Sequence, residues 1–296
     1  MASPISLGTW PTPLEPAPRL AAALGLNELW IKRDDLTGLG GGGNKVRKLQ
    51  YTCAEALAAG ATTLITTGAP QSNHARLTAA AAARLGLRAV LVLAGGPREP
   101  DRGNLLLDSL AGAEIVWAGA TPLDQCAEVT AAELRGWGAR PYIIPFGGSS
   151  PASVQGYVDC AREIEQQLGR FDRVVVPVGS GGTMAGLVTA VGPERVLGVD
   201  VGAVADPHAT VAALAKDTSP TDLQIDRRQV GPGYGAFTER SREAIKLAAR
   251  TEGLFLDPIY TGRAMASLVA GSVPARGRTV YLHTGGLPGL FGHPNT

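Results

Sequence analysis

Lys45 and Lys48 stand three residues apart, directly after a run of glycines, in the segment GLGGGGNKVRKL at 38–49. Residues at i and i+3 share one helix face. A helix start also offers free backbone N–H groups and a partial positive charge. Two lysines added to those donors make a cradle for an anion such as a phosphate. The pattern is not a P-loop, which needs Gly directly before the lysine and Ser or Thr directly after; Asn44 and Val46 flank Lys45 here. Taken alone, the segment also suits a surface loop with two solvated lysines.

Three further clusters could do chemistry. Gln71-Ser72-Asn73-His74 opens a predicted helix after a strand. Ser72 or Asn73 would serve there as the helix N-cap, and His74 alone reads as a structural histidine as readily as a catalyst. Gly179-Ser180-Gly181-Gly182-Thr183 follows the strand VVVPV and leads into a helix. Its glycines let backbone N–H groups approach a phosphate. A dinucleotide fingerprint would use Gly179 and Gly181 with Asp200 as the acidic partner, but Met184 holds the third glycine position. The last cluster pairs Tyr260-Thr261, in LDPIYTGRAM, with His283-Thr284-Gly285-Gly286, in YLHTGGLPGLFG. Both read as loops after strands, where hydroxyls contact a bound ring or simply make turns.

The elements that must position these clusters alternate regularly. Strands are predicted over 28–33, 62–68, 88–96, 114–119, 141–148, 173–178, 195–202 and 279–286. Helices are predicted over 44–59, 73–85, 103–113, 122–137, 152–168, 183–191 and 241–250. Strand runs that are apolar throughout, separated by helices, mark parallel sheets covered on both faces, an α/β architecture. In such sheets ligands sit at the carboxyl ends of strands, where these clusters fall.

A chain of 296 residues makes one large domain or two ordinary ones, and 45% apolar residues is a normal globular share. A net charge of +1 without a basic stripe argues against nucleic acid as a partner. Cys53, Cys126 and Cys160 form no CxxC pair, so no metal site and no disulfide framework is signalled. The N-terminal segment has no basic residues before an apolar stretch, unlike a secretory signal. The small-apolar stretch 78–96 is interrupted by Arg84 and Arg88, so no membrane span is expected and the cytoplasm is the expected location.

Together the motifs PTPLE (11–15), IKRDDLTG, GGNKVRKL, QSNHARLTAA, GSGGTMAGL, DPIYTGRAM and HTGGLPGLFG resemble, nearly end to end, the pyridoxal-phosphate enzymes of the tryptophan-synthase-β-like fold (fold type II). Within that fold the resemblance is to the group of D-cysteine desulfhydrase and 1-aminocyclopropane-1-carboxylate (ACC) deaminase. It implies that Lys45 carries pyridoxal phosphate as a Schiff base, that Lys48 lies near the phosphate, and that Gly179, Ser180, Gly181, Gly182 and Thr183 bind it. Asn73 would bond the phenolic oxygen, and Thr261 would face the pyridine nitrogen with Thr284 beside it. Ser72, Asn73, His74 and Tyr260 would meet the substrate, and Ser72, Tyr234 and Tyr260 would share the catalysis with Lys45. ACC deaminases carry Glu after the second tyrosine and Gln after QSN; Thr261 and His74 stand here instead, as in the desulfhydrases.

The implied reaction is α,β-elimination of a β-substituted amino acid, D-cysteine giving pyruvate, sulfide and ammonia. An ACC deaminase or an L-cysteate sulfo-lyase-like enzyme is the alternative, and an NAD-binding oxidoreductase built on the Gly179 turn and Asp200 is the reading from another class. The chain is shorter than most relatives between about 205 and 230, near Tyr234, which bears on substrate rather than cofactor. The implied organisation is a large cofactor domain, 1–50 and 150–296, a small α/β domain, 51–149, and a homodimer.

Overall fold

The computed structural model describes residues 3–97 and 102–294. The chain runs through β1 (Leu14–Pro16), α1 (Pro18–Leu24), β2 (Glu28–Lys32), α2 (Lys45–Ala58), β3 (Thr63–Gly68), α3 (Asn73–Leu85) and β4 (Arg88–Leu93). It continues with α4 (Asn104–Leu110), β5 (Glu114–Trp117), α5 (Leu123–Gly136), β6 (Pro141–Ile144), α6 (Pro151–Leu168), β7 (Arg173–Val178) and α7 (Gly182–Val191). It closes with β8 (Val196–Asp200), α8 (Pro207–Ala212), β9 (Gln224–Asp226), α9 (Glu239–Glu252), α10 (Thr261–Val269), β10 (Arg278–Leu282) and α11 (Leu287–Gly292).

The strands form two separate sheets. One has six strands in the order β1-β2-β10-β7-β8-β9, the other four in the order β5-β4-β3-β6. Every pairing is parallel except β1 with β2. The architecture is therefore α/β with two open, mostly parallel sheets. The late strand β10 enters the middle of the larger sheet, with Val280 opposite both Trp30 of β2 and Val174 of β7. Its residues Val280, Tyr281 and Leu282 are fully buried. The unbroken apolar runs have the same cause in β4 and β7: helices cover both faces. Val174, Val176 and Val178 point into a core with α6 and α7, while Val175 points into another with α9 and α10. At roughly 25 cal/mol per Å², burying each such valine contributes about 1.5 kcal/mol or more.

Two expectations are corrected. No strand precedes Tyr260; residues 253–257 lie outside any element, and Thr261 starts a helix rather than sitting in a loop. Pro258 has no N–H for a ladder, and the Asp257 carboxylate accepts the N–H groups of Ile259, Tyr260 and Thr261 at 2.8–3.0 Å, which makes a helix start. The strand predicted over 141–148 ends at Ile144. There Gly147 and Gly148 take φ of +61° and +64°, which closes a short 3₁₀ turn instead.

Candidate active site

A cavity of about 200 Å³ opens where the loops of the two sheets meet. The larger sheet contributes the turn after β7, the smaller sheet the turns after β3 and β6, and the first turn of α2 closes one side. Lys45, Ser72, Asn73, His74, Gly179, Ser180, Gly181, Thr183, Tyr234, Tyr260 and Thr284 all line it. Lys48, Gly182 and Thr261 do not.

Lys45 is the first residue of α2. Burial pushes its amine down to about 8, against a smaller opposing effect of a hydrogen bond with Lys48. No carboxylate is among the groups acting on it. Lys48 lies one turn on, fully buried behind the wall. Its Nζ donates to Gly147 O at 3.0 Å, Ser149 Oγ at 2.7 Å and Ser180 Oγ at 3.5 Å. It thus ties the turn after β6 to the turn after β7, with its own pKa far below the ordinary value through burial and the charge of Lys45. The solvated-loop reading of these lysines does not hold.

The glycines of the turn after β7 are demanded by close approach. A Cβ on Gly179 would press the Tyr260 ring at 3.1 Å, and one on Gly182 would meet Ser149 Oγ at 2.6 Å. Gly181 also takes φ +80°, a region unfavourable to other residues. Gly179, Ser180 and Gly181 thereby line the cavity, while the Gly182 N–H turns away to Ser180 O at 3.0 Å and Ser149 Oγ at 3.3 Å. Asp200 is occupied elsewhere, accepting from Gly202 N at 2.7 Å and pairing with Arg227 at 3.1 Å, so it holds no ribose.

Ser72 is the N-cap of α3, its Oγ accepting Ala75 N at 3.1 Å, and it also lines the cavity. His74 is neutral, its pKa far below ordinary through burial and then the charges of Lys45 and Lys48. Thr66 donates its hydroxyl proton to Ile144 O at 3.0 Å, so its oxygen accepts from His74 Nε2 at 2.9 Å. His74 therefore forms a fixed, uncharged piece of wall.

The two tyrosines meet. Tyr234 Oη and Tyr260 Oη are 2.5 Å apart, with ring centroids 6.0 Å apart at 78°. Burial is the main cause holding both phenols protonated above their ordinary range. Sequence reasoning missed what places them. The buried Arg263 guanidinium donates to Val201 O, Gly233 O and Ala236 O at 2.6–2.7 Å, pinning the loop of Tyr234 to the end of β8. Asp257 holds the backbone of Tyr260. An aspartate just before a proline was the legible signal for the second; nothing local marked the first.

Thr261 and Thr284 part company. Thr261 Oγ1 gives its proton to Asp257 Oδ1 at 2.6 Å and accepts Asp257 N at 2.7 Å, so its hydroxyl is spent behind the wall. Thr284 is on the wall, and its carbonyl accepts Asn44 N at 3.0 Å, next to Lys45.

Comparisons with known proteins identify the family. Residues 5–285 match the family of pyridoxal-phosphate-dependent enzymes. The curated D-cysteine desulfhydrase of Salmonella schwarzengrund is 44% identical over 313 residues, covering 96% of this chain and 94% of that one. A crystal structure described as an ACC deaminase homologue superposes with a TM-score of 0.88 at 37% identity, over 99% of this chain and 94% of that one. A fungal L-serine ammonia-lyase from Rhizomucor miehei shares the fold, with a TM-score of 0.69 at 18% identity over 96% and 95% of the two chains.

The residues fit the cofactor of that family. A buried amine without a carboxylate partner suits a lysine that must react as a nucleophile. Gly179 and Gly181, on the wall where a Cβ would crowd Tyr260 and Thr210, suit a turn that lets an anion approach the backbone. The chain belongs to the family of pyridoxal-phosphate-dependent enzymes, and pyridoxal phosphate is its cofactor.

Proposed function

We propose that this protein is a lyase that removes the β-substituent of a small amino acid, with D-cysteine and water giving pyruvate, hydrogen sulfide and ammonia. The observation that carries the reading is the placement of a proton acceptor, Lys45, and a proton-holding pair, Tyr234 and Tyr260, on one cavity. The 44% identity to a D-cysteine desulfhydrase supports the choice of substrate.

When bound, pyridoxal phosphate supplies an electron sink for the pair left at Cα. Lys45 would hold its aldehyde carbon, the 179–183 turn with the start of α7 its phosphate, and Asn73 its phenolic oxygen. Lys48 supports that turn from behind through Gly147, Ser149 and Ser180. Thr284, the threonine on the wall, would stand beside the ring nitrogen, with Thr261 bonded to Asp257 behind it. Either hydroxyl is uncharged and cannot keep a pyridine nitrogen protonated as a carboxylate would. That favours rapid loss of a β leaving group over prolonged storage of charge.

Lys45 Nζ, kept short of its ordinary basicity by burial, takes the Cα proton. Tyr260 Oη delivers a proton to the departing sulfur and is resupplied by Tyr234 Oη. Ser72 and Asn73, at the start of α3, hold the substrate carboxylate, and His74 walls the substrate side. We further infer that 51–149 forms a small domain that closes over substrate against a large domain of 1–50 and 150–296. We also infer a cytoplasmic homodimer. Among the described residues no helix is long and apolar enough to cross a membrane.

The test is a substrate panel on the holoenzyme, following pyruvate, sulfide and ammonia. D-Cysteine should yield all three in equal amounts. Turnover of ACC to a four-carbon oxoacid and ammonia without response to D-cysteine would replace this reading with the deaminase. Sulfite release from L-cysteate would replace it with the sulfo-lyase.

A further inference from the structure

We propose that Asn104, which does not touch the cavity, is a positioning residue that decides which end of the Asn73 amide faces the cofactor. The inference rests on the reading of Asn73 as donor to the phenolic oxygen. Asn104 is the first residue of α4 and is fully buried. Its Nδ2 donates both protons, one to Gln71 O at 2.9 Å and one to Asn73 Oδ1 at 3.0 Å. Its backbone N–H donates to Gln71 Oε1 at 2.8 Å. The Asn73 oxygen is therefore engaged away from the cavity, and the NH₂ end of that amide is left for whatever the wall holds. Asn73 Nδ2 lies beside Gly286, where an added Cβ would be only 3.1 Å away.

The start of α4 is wedged to keep this contact. Gly103 takes φ +57°, and a Cβ there would strike Gln71 Oε1 at 2.5 Å, Gly292 Cα at 2.6 Å and Pro288 O at 2.7 Å. Three bonds thus join one side chain and its backbone to the Gln71–Asn73 turn. Asn104 Oδ1 itself is buried without a partner. An orphaned buried acceptor is a cost to folding, so the position is occupied by an amide for its donors.

The two ends of an asparagine amide are nearly the same shape and opposite in chemistry. An NH₂ end donates to an anionic phenolic oxygen; an oxygen end repels it. Without Asn104 the Asn73 amide has two poor choices. It keeps Nδ2 inward and leaves Oδ1 buried without a donor, or it turns over and points its oxygen at the cofactor.

The experiment compares holoenzymes of the wild type, Asn104→Ala, Asn104→Leu, Asn73→Ala and the Asn73→Ala/Asn104→Ala double variant. Pyridoxal 5′-phosphate retention on dilution and the visible circular dichroism of the bound cofactor are read, with far-ultraviolet dichroism reporting the fold. Hydrogen bonds to charged groups predict about tenfold weaker retention for either Asn104 variant. The visible dichroism should weaken with the secondary structure intact, and the double variant should be no worse than Asn73→Ala. Wild-type retention by both Asn104 variants, with Asn73→Ala impaired, overturns the proposal. A full additional loss in the double variant also overturns it, because Asn104 would then act by another route. An unimpaired Asn73→Ala has a different signature: it removes the reading of Asn73 and the inference with it. Leu nearly preserves the side chain's shape and Ala only deletes it, so a folding failure in one leaves the other to decide.

Discussion

Helix α2 carries Arg47 between Lys45 and Lys48, and these three cations are treated in opposite ways. Arg47 faces a matched network. Its guanidinium bonds both oxygens of Asp34 at 2.8 and 2.9 Å and both of Glu163 at 2.8 and 2.7 Å. Lys32 joins Glu163 at 2.8 Å, Tyr157 Oη donates to Asp34 at 2.7 Å, and the Trp10 ring lies 4.2 Å from the guanidinium. Burial opposes the charge on Arg47, but Asp34 and Glu163 outweigh it and hold the group more basic than usual. The carboxyl of Asp34 is likewise held below its ordinary range by Arg47 despite burial. On the cavity side Lys48, fully buried, meets hydroxyls, a carbonyl and Lys45, while Lys45, partly buried, meets Lys48; neither finds a carboxylate, and burial wins. Within one helix, the partner decides whether a cation taken from water is a fixed charge or a group able to give up its proton. Tyr157 links the two faces, since its hydroxyl also reaches Asn44 O at 3.3 Å, one residue before Lys45.

The comparison can be broken most sharply at Lys45. Lys45→Met should lower turnover by about ten-thousand-fold, the upper end of what one acid–base group supplies, with the far-ultraviolet dichroism unchanged. Repeated turnover by that variant would remove Lys45 from the chemistry. On the opposite face, Asp34→Ala leaves Arg47 and Tyr157 with an incomplete network. It should cost about 3–5 kcal/mol of stability, the range for one-sided loss of a buried pair; a chemical denaturation midpoint close to wild type would mean the network is not structural.

A smaller effect tests the unmatched charge itself, in protein stripped of cofactor. The folded-state pKa of Lys45 lies near 8 and its ordinary value is 10.5, so between those limits the unfolded chain binds more protons. Stability should therefore rise with pH across that window, and the penalty is full below it. Lys45→Met, which removes the amine, should stabilise the cofactor-free protein by roughly 1–3 kcal/mol near neutral pH. The gain should shrink toward zero as pH approaches 10.5; a gain independent of pH would mean the amine is not desolvated. The smallest change belongs to Arg88 and Glu114, paired at 3.1 Å with both side chains more than half exposed. Arg88→Ala should move the midpoint by no more than about 0.5 kcal/mol, which marks how much of the Asp34 effect comes from burial.

Much of the fold was legible because its signals are local. Apolar strand runs and glycine-ended helices announce a parallel α/β arrangement without any knowledge of partners. The sites at 38–49 and 179–183 were legible for the same reason: a glycine run feeding a helix start is a property of a dozen consecutive residues. The segment around Tyr260 misled, because an apolar stretch before a turn looks like a strand until Asp257 and Pro258 are read as a helix start.

What the sequence determined by itself was the class of fold, the lysine at the head of α2 and the glycine turn that reaches the cavity wall. Tertiary structure alone decided the rest. It placed β10 in the centre of the larger sheet, put Thr284 rather than Thr261 on the wall, and assigned Asn104 and Arg263 to residues far away in sequence. The physical reason is that a hydroxyl, an amide or a guanidinium has no direction until its partners are in place, and here those partners arrive from 31 residues away for Asn104 and 30 for Arg263.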